Sequence, residues 1–210
     1  MQITAQMVKD LREMTGAGPL DCKKALEANG GDINKAVDYL REKGLAKAAK
    51  KLSAGRSMNE GVIETYMHFN RRLGVMVEVN CETDFVANTD KFRAFAKDLA
   101  LHIANLKPEY IRREQVPDAV VQAERDLQTR KARETGKPEN IIEKIVDGNM
   151  NKFFAEIVLM EQPFLKDDSK TIAQLLSETV ADVGESIEIS RFARFALGEN
   201  NAADGEESAE

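Results

Sequence analysis

A nucleophilic enzyme needs a thiol or hydroxyl beside a base, and the sequence has two cysteines, Cys22 and Cys81, and two histidines, His68 and His102. His68 ends one alternating run beside a turn and Cys81 ends the next, so a Cys–His pair is conceivable, with the imidazole taking the thiol proton. Alternation, however, puts Cys81 on the same face as Val75, Val77 and Val79, where a thiol behaves as a small hydrophobe. His102 falls beside the apolar stripe of a helix and reads as a packed residue. Cysteines and histidines scattered in this way match no zinc spacing. Gly16-Ala17-Gly18 follows no strand and has no Lys-Ser/Thr after it, so it reads as a helix–helix turn and not as a phosphate cradle. We therefore expect no catalytic residue, no metal ligand, no cofactor and no enzyme. The more informative pair is Asp84-Phe85, an acid and an apolar ring where the chain must turn. Phe85 belongs to neither flanking pattern, and is either a local staple for the helix that follows or a probe for a partner.

Those flanking patterns are the elements that must position the pair. Leu73, Val75, Val77, Val79 and Cys81 share one face of a strand and Met76, Glu78 and Asn80 the other. Phe92, Phe95, Ala96, Leu99, Ala100 and Ile103 recur at helical spacing behind Thr89, a good N-cap. Gly61 to Phe69 reads as an antiparallel partner strand joined through Asn70-Arg71-Arg72, a turn without glycine. Upstream, three short helical periods contain Leu11 and Met14, then Leu26, then Val37. They are punctuated by Gly16 and Gly18, by Pro19 and Asn29-Gly30-Gly31, and by Asp32 as a cap. This predicts a three-helix bundle in residues 1–55, linker included, too small for a catalytic cavity and suited to docking.

Residues 56–198 predict an α+β core. Asp118 to about Glu134 and the segment around Ile141, Ile142, Ile145 and Val146 form a charged helical hairpin, reversed at Thr135-Gly136-Lys137-Pro138. A separate helical segment with Phe153, Phe154, Ile157 and Val158 ends at Pro163. Another helix carries Ile172, Leu176 and Val180, and Ile187 to Leu197 predicts a last strand with a bulge or bend. Residues 199–210 are acidic and aperiodic, the composition of a disordered tail.

Composition narrows the partners. Thirty Lys and Arg against 36 Asp and Glu give a net charge of −6, which supplies no global field for a phosphate backbone, so no direct nucleic-acid partner is expected. Lys43, Lys47, Lys50, Lys51 and Arg56 read as a solvated helix end whose cations complement the helix dipole. The alternative is a ribosome- or RNA-binding adaptor using residues 43–56. No apolar run reaches the length of a membrane span and the first residues lack a signal pattern, so a cytoplasmic location with no membrane partner is expected.

Two signatures, L-R-E-M-T-G-A-G-P-L-D-C-K-K-A-L from Leu11 to Leu26 and V-N-C-E-T-D-F-V-A from Val79 to Ala87, resemble those of bacterial elongation factor Ts. T-G-K-P-E-N, M-N-K-F-F-A-E and Q-P-F-L-K-D-D-S-K-T extend the resemblance to about Gly198. It implies a ubiquitin-associated-like bundle before the α+β core, and guanine-nucleotide exchange on elongation factor Tu. By that resemblance Thr83, Asp84, Phe85 and Val86 form a turn that disturbs the partner's Mg²⁺ site. Lys9, Arg12, Pro19, Leu20 and Lys23 dock the bundle, Pro19-Leu20 standing where many relatives carry two methionines. His68, in Y-M-H-F-N-R-R-L-G, is a weaker contact candidate because that motif is similar to one in the second core half of longer relatives. With a single core copy in this chain, the resemblance implies a homodimer formed through the sheet.

Overall fold

A computed structural model describes residues 3–15, 17–52 and 58–199, with only the backbone at residues 45 and 47–52. Three helices open the chain: α1 (Ala5–Thr15), α2 (Pro19–Ala28) and α3 (Ile33–Leu52). They close around Leu11, Cys22, Ala25, Leu26 and Ala36. Gly18 stands extended before Pro19, and a proline at this first helical position loses no hydrogen bond that the helix would use. Gly30 and Gly31 at positive φ end α2, the Gly31 amide reaching the Leu26 carbonyl at 2.8 Å. The Asp32 carboxylate then caps α3 at the Lys35 amide.

The core is an antiparallel sheet of β1 (Glu60–Met67), β2 (Leu73–Cys81) and β5 (Ile187–Ala196) in the order β1-β2-β5. In the tight turn after β1, Arg71 takes the left-handed conformation at φ 58° and Asn70 Oδ1 accepts from the Arg72 amide. An asparagine-anchored turn thus replaces the missing glycine. The expected irregularity in the last strand is a bulge: Glu78 faces Arg191 while Val79 faces Ile189, so Ser190 is the extra residue.

Val75, Val77, Val79 and Cys81 meet α5 (Asp90–Leu106) and α8 (Ile172–Val183) across one core. All six stripe residues expected on α5 are buried, and Thr89 accepts from the Phe92 amide. His102 is fully buried as well, with Nε2 2.9 Å from Gln162 Oε1 and Nδ1 accepting from the Leu165 amide. That pattern fixes the neutral tautomer with the proton on Nε2, and burial pushes the imidazole pKa down, with the Gln162 bond acting the other way.

α6 (Asp118–Arg133) and α7 (Glu139–Ile157) form the hairpin, with a separate small core around Ala132, Ile142, Val146 and Met150. The two helical segments expected in residues 141–158 are one helix. Val146, Met150 and Phe154 continue the buried stripe at intervals of four while Gly148 lies outside it, in the open, where a helical glycine costs only about 1 kcal/mol. The helix ends at Ile157, before Pro163, in a short 3-10 turn. A small hairpin not anticipated from the sequence follows, β3 (Pro163–Phe164) with β4 (Asp167–Thr171). Too few residues alternate there to register as strands.

The bundle meets the core where α3 lies on α8. A Cβ at Gly44 would stand 3.4 Å from Ala181 Cβ, and Arg41 pairs with Glu178 at 2.5 Å. Of the basic stretch, Lys43 lies over the Tyr39 ring and residues 47, 50 and 51 fall within α3. Arg56, the rest of the linker at 53–57, Gly16 and the tail from residue 200 lie outside the described residues.

Candidate partner-binding site

Where β2 ends at Cys81, Glu82 and Thr83 lead into α4 (Asp84–Ala87), a single helical turn. Thr83 is its N-cap, Oγ1 accepting from the Val86 amide, and the Asn88 backbone and side-chain N–H groups both close on the Asp84 carbonyl. Asp84 sits in the first turn, where the helix dipole favours a carboxylate. Successive helical residues point about 100° apart, and this turn uses that angle to separate anchor from probe. Val86 and Ala87 are buried in the sheet–helix core, whereas Phe85 is 84% exposed and Asp84 is exposed. The ring is therefore no staple: it projects from its own chain. Of the four turn residues singled out from the sequence, Val86 serves as the anchor and Asp84 and Phe85 form the presented surface.

The mount is tied to a distant segment. Glu185, in the loop between α8 and β5, accepts from the Thr83 amide at 3.0 Å and from Thr83 Oγ1 at 2.7 Å. In return the Ser186 amide donates to Glu82 Oε1 at 2.9 Å. Sequence reasoning missed both acids. Each is one charge in a short acidic stretch, and only the pairing of Cys81 with Ile187 brings the stretches together.

Cys81 donates from Sγ to the Thr83 carbonyl at 3.1 Å. Burial pushes its thiol pKa up and the Glu185 carboxylate adds to the shift, the opposite of what a thiolate nucleophile requires. The conceivable Cys81–His68 pair does not form. Cys81 lies opposite Glu60 at one end of the β1–β2 hairpin, and the His68 amide bonds the Leu73 carbonyl at the other. His68 instead accepts or donates at Nδ1 with the Tyr66 hydroxyl at 2.8 Å, and its ring centroid is 4.4 Å from that of Phe69, which is 88% exposed. Phe69 is a second exposed ring that the sequence reading assigned only to a strand.

On the bundle, Lys9, Arg12, Pro19, Leu20 and Lys23 are all exposed. Lys9 and Lys23 make loose 3.8 Å pairs with Glu13 and Glu27 one turn on, interactions of small energy that leave both cations open to a partner. Leu20 is joined by another exposed apolar residue, Met14, at the junction of α1 and α2. The sequence reading placed Met14 within the helix period because its spacing fits.

The sheet's outer face is apolar as well. Ile63, Met67, Met76 and Phe195 are exposed there, with Met67, Gly74 and Phe195 aligned across the three strands. The Met67 side chain lies over Gly74, so close that a Cβ there would stand 3.2 Å from Met67 Cε. No helix among the described residues is long and apolar enough to cross a membrane.

The family model described as elongation factor TS matches residues 3–199. The chain is 58% identical over 199 residues to elongation factor Ts of Geobacter sulfurreducens, covering 95% of this chain and 91% of that protein. It is 55% identical over 207 residues to the Carboxydothermus hydrogenoformans protein of the same name, covering 99% and 94%. A third relative so named, from Nitratidesulfovibrio vulgaris, is 56% identical over 202 residues, covering 96% of this chain and all of that one. A chain with this α+β architecture, matched along almost all of its length, belongs to the elongation factor Ts family, whose members serve protein biosynthesis at translation elongation.

Proposed function

We propose that the protein is a guanine-nucleotide exchange factor for elongation factor Tu, acting by contact and not by covalent chemistry. The observation that carries this reading is Phe85, a large ring held in solvent at the tip of a capped turn whose next two residues are buried. A P-loop protein holds GDP through its phosphates and a bridging Mg²⁺. A ring pressed into the segment that positions the ion weakens that grip, and burying it contributes about 2 kcal/mol. Asp84, beside it, competes for donors or alters the water around the ion. The coupling is reciprocal: the factor loosens GDP as much as GDP loosens the factor, and about 3 kcal/mol changes either affinity roughly 150-fold. GTP then refills the site by mass action. Lys9, Arg12, Pro19, Leu20 and Lys23 dock the bundle on the nucleotide-binding domain, and His68 adds a contact at the hairpin tip. Release of labelled GDP from purified elongation factor Tu tests the reading: the chain accelerates it, and absence of any acceleration refutes it.

A second copy of the chain fits the outer sheet face. Ile63, Met67, Met76 and Phe195 leave an exposed apolar surface on a three-stranded sheet, a feature of interaction sites. The Glu78–Arg191 pair beside it is internally neutralised, so a two-fold copy meets no like-charge repulsion. The protein is then a homodimer by sedimentation, and Met76→Lys yields monomers; a wild-type monomer at high concentration refutes the pairing.

A further inference from the structure

We propose that Glu185 is a positioning residue for exchange, holding the Thr83–Val86 turn in the orientation that presents Phe85. The inference rests on the exchange reading above. A four-residue helix has no stability of its own, because fixing one turn costs more than its single hydrogen bond returns. The orientation of α4 must come from outside. Many helix starts solve this with a Glu or Gln three residues after the cap, whose side chain reaches back to the cap's amide. Here that position is Val86, which is committed to the core and has no acceptor. Glu185 takes its place from 102 residues away, one carboxylate oxygen on the Thr83 amide and the other on the Thr83 hydroxyl. With its own proton directed at Glu185, Thr83 Oγ1 keeps a lone pair for the Val86 amide. The reverse bond from the Ser186 amide to Glu82 crosses the same gap. All three bonds lie just beyond the last β2–β5 pair, Cys81 with Ile187, so side chains continue the ladder where backbone pairing stops. Gly184, at φ 79° as the C-cap of α8, turns the chain so that Glu185 faces Thr83.

Steady-state GDP release from elongation factor Tu and hydrogen exchange of the free protein test this together. Glu185→Ala lowers the maximal rate about tenfold with KM changed less than twofold, and Glu185→Gln, which keeps one acceptor oxygen, recovers much of the loss. In a Phe85→Ala background, Glu185→Ala has no further effect, since the residue acts through the ring. Equal losses in both backgrounds, a loss confined to KM, or no loss overturns the proposal. In the free protein, Glu185→Ala speeds exchange of the Val86 and Ala87 amides at least tenfold while the sheet amides hold, and unchanged protection overturns the latch whatever the protein's activity. If Glu185→Ala does not fold, Glu185→Gln is put through the same two comparisons with smaller changes expected. Failure of the wild-type chain to release GDP sinks the exchange reading alone, and the amide result still decides the latch.

Discussion

The bundle and the Thr83–Asn88 turn both face outward, yet they are held in opposite ways. The bundle shows several exposed residues on helices that close around five small and medium side chains of their own. Its Lys9 and Lys23 pairs are local, one turn apart. The turn shows one ring and one acid, and nearly every atom behind them is committed, to the core through Val86 and Ala87 and to the α8–β5 loop through Thr83. Loosely paired side chains suit docking, where many small contacts add up and tolerate displacement. A ring that must intrude into another protein's site gains from a fixed mount, because ordering it at the moment of contact costs free energy. The difference predicts a division of labour: the bundle sets how tightly the partner is held, and the turn sets how fast GDP leaves.

Phe85→Ala is the severest test of that division. Losing about 2 kcal/mol of ring burial lowers the maximal GDP-release rate about 30-fold, while the melting temperature barely moves because the ring is exposed in the free protein. If the melting loss dominates, the ring supports its own fold. Leu20→Ala is the counterpart in the bundle. It raises KM by about tenfold, the effect of truncating one well-placed apolar contact, and leaves the maximal rate unchanged; a fall in rate at saturation would erase the distinction between the two regions.

The mount was only half legible in the sequence. Alternation in Leu73 to Cys81 and the three-four spacing from Phe92 to Ile103 announced the strand and the helix, because each pattern lies within a dozen residues. The same patterns isolated Phe85 by excluding it. Glu82 and Glu185 could not be found, since their partners are about a hundred residues away and a lone acid has no period. The continuity of α7 was missed for a related reason: the apolar residues at 141–146 and at 153–158 read as two separate periods, although Met150 carries the buried stripe from Val146 to Phe154. Phe69 and Met14 were absorbed into periods that they fit in spacing but leave in space.

Acid should separate the regions again, more mildly. Both histidines lie in the core and none in the bundle, and His102 is buried, neutral and bonded on both nitrogens. Its folded pKa is lowered, chiefly by burial, so below the unfolded value of about 6.5 the unfolded chain binds the proton more readily than the native one. Stability is therefore complete above that pH and declines below it towards the folded pKa. The slope for one group is at most about 1.4 kcal/mol per pH unit, a tenfold change in the folding equilibrium. Hydrogen exchange between pH 7 and 5.5, corrected for intrinsic rates, should show lost protection in α5 and the β3–β4 hairpin before α1 and α2. His102→Gln should flatten that dependence.

The smallest expected change bears on whether the two regions are joined. Helix α8 touches both, through Arg41 and Glu178 on the bundle side and through the Glu185 loop on the other. Glu178 also binds Lys170 at 2.9 Å. Burial alone would raise its pKa, but the bonds from Lys170 and Arg41 outweigh that and lower it. Removing Arg41 leaves the carboxylate still partnered by Lys170. Exposed ion pairs contribute under about 1 kcal/mol, so Arg41→Ala should loosen the bundle on α8 without freeing it. Two surfaces on one rigid body bind a partner as a linked pair, and slack between them lowers the effective concentration of the second for the first. The expected outcome is a rise in KM of about threefold, nearly absent in high salt where the pair is already screened, at an unchanged maximal rate. A drop in that rate would mean that the bundle pushes on the turn through α8, making the two regions one lever and not a clamp and a wedge.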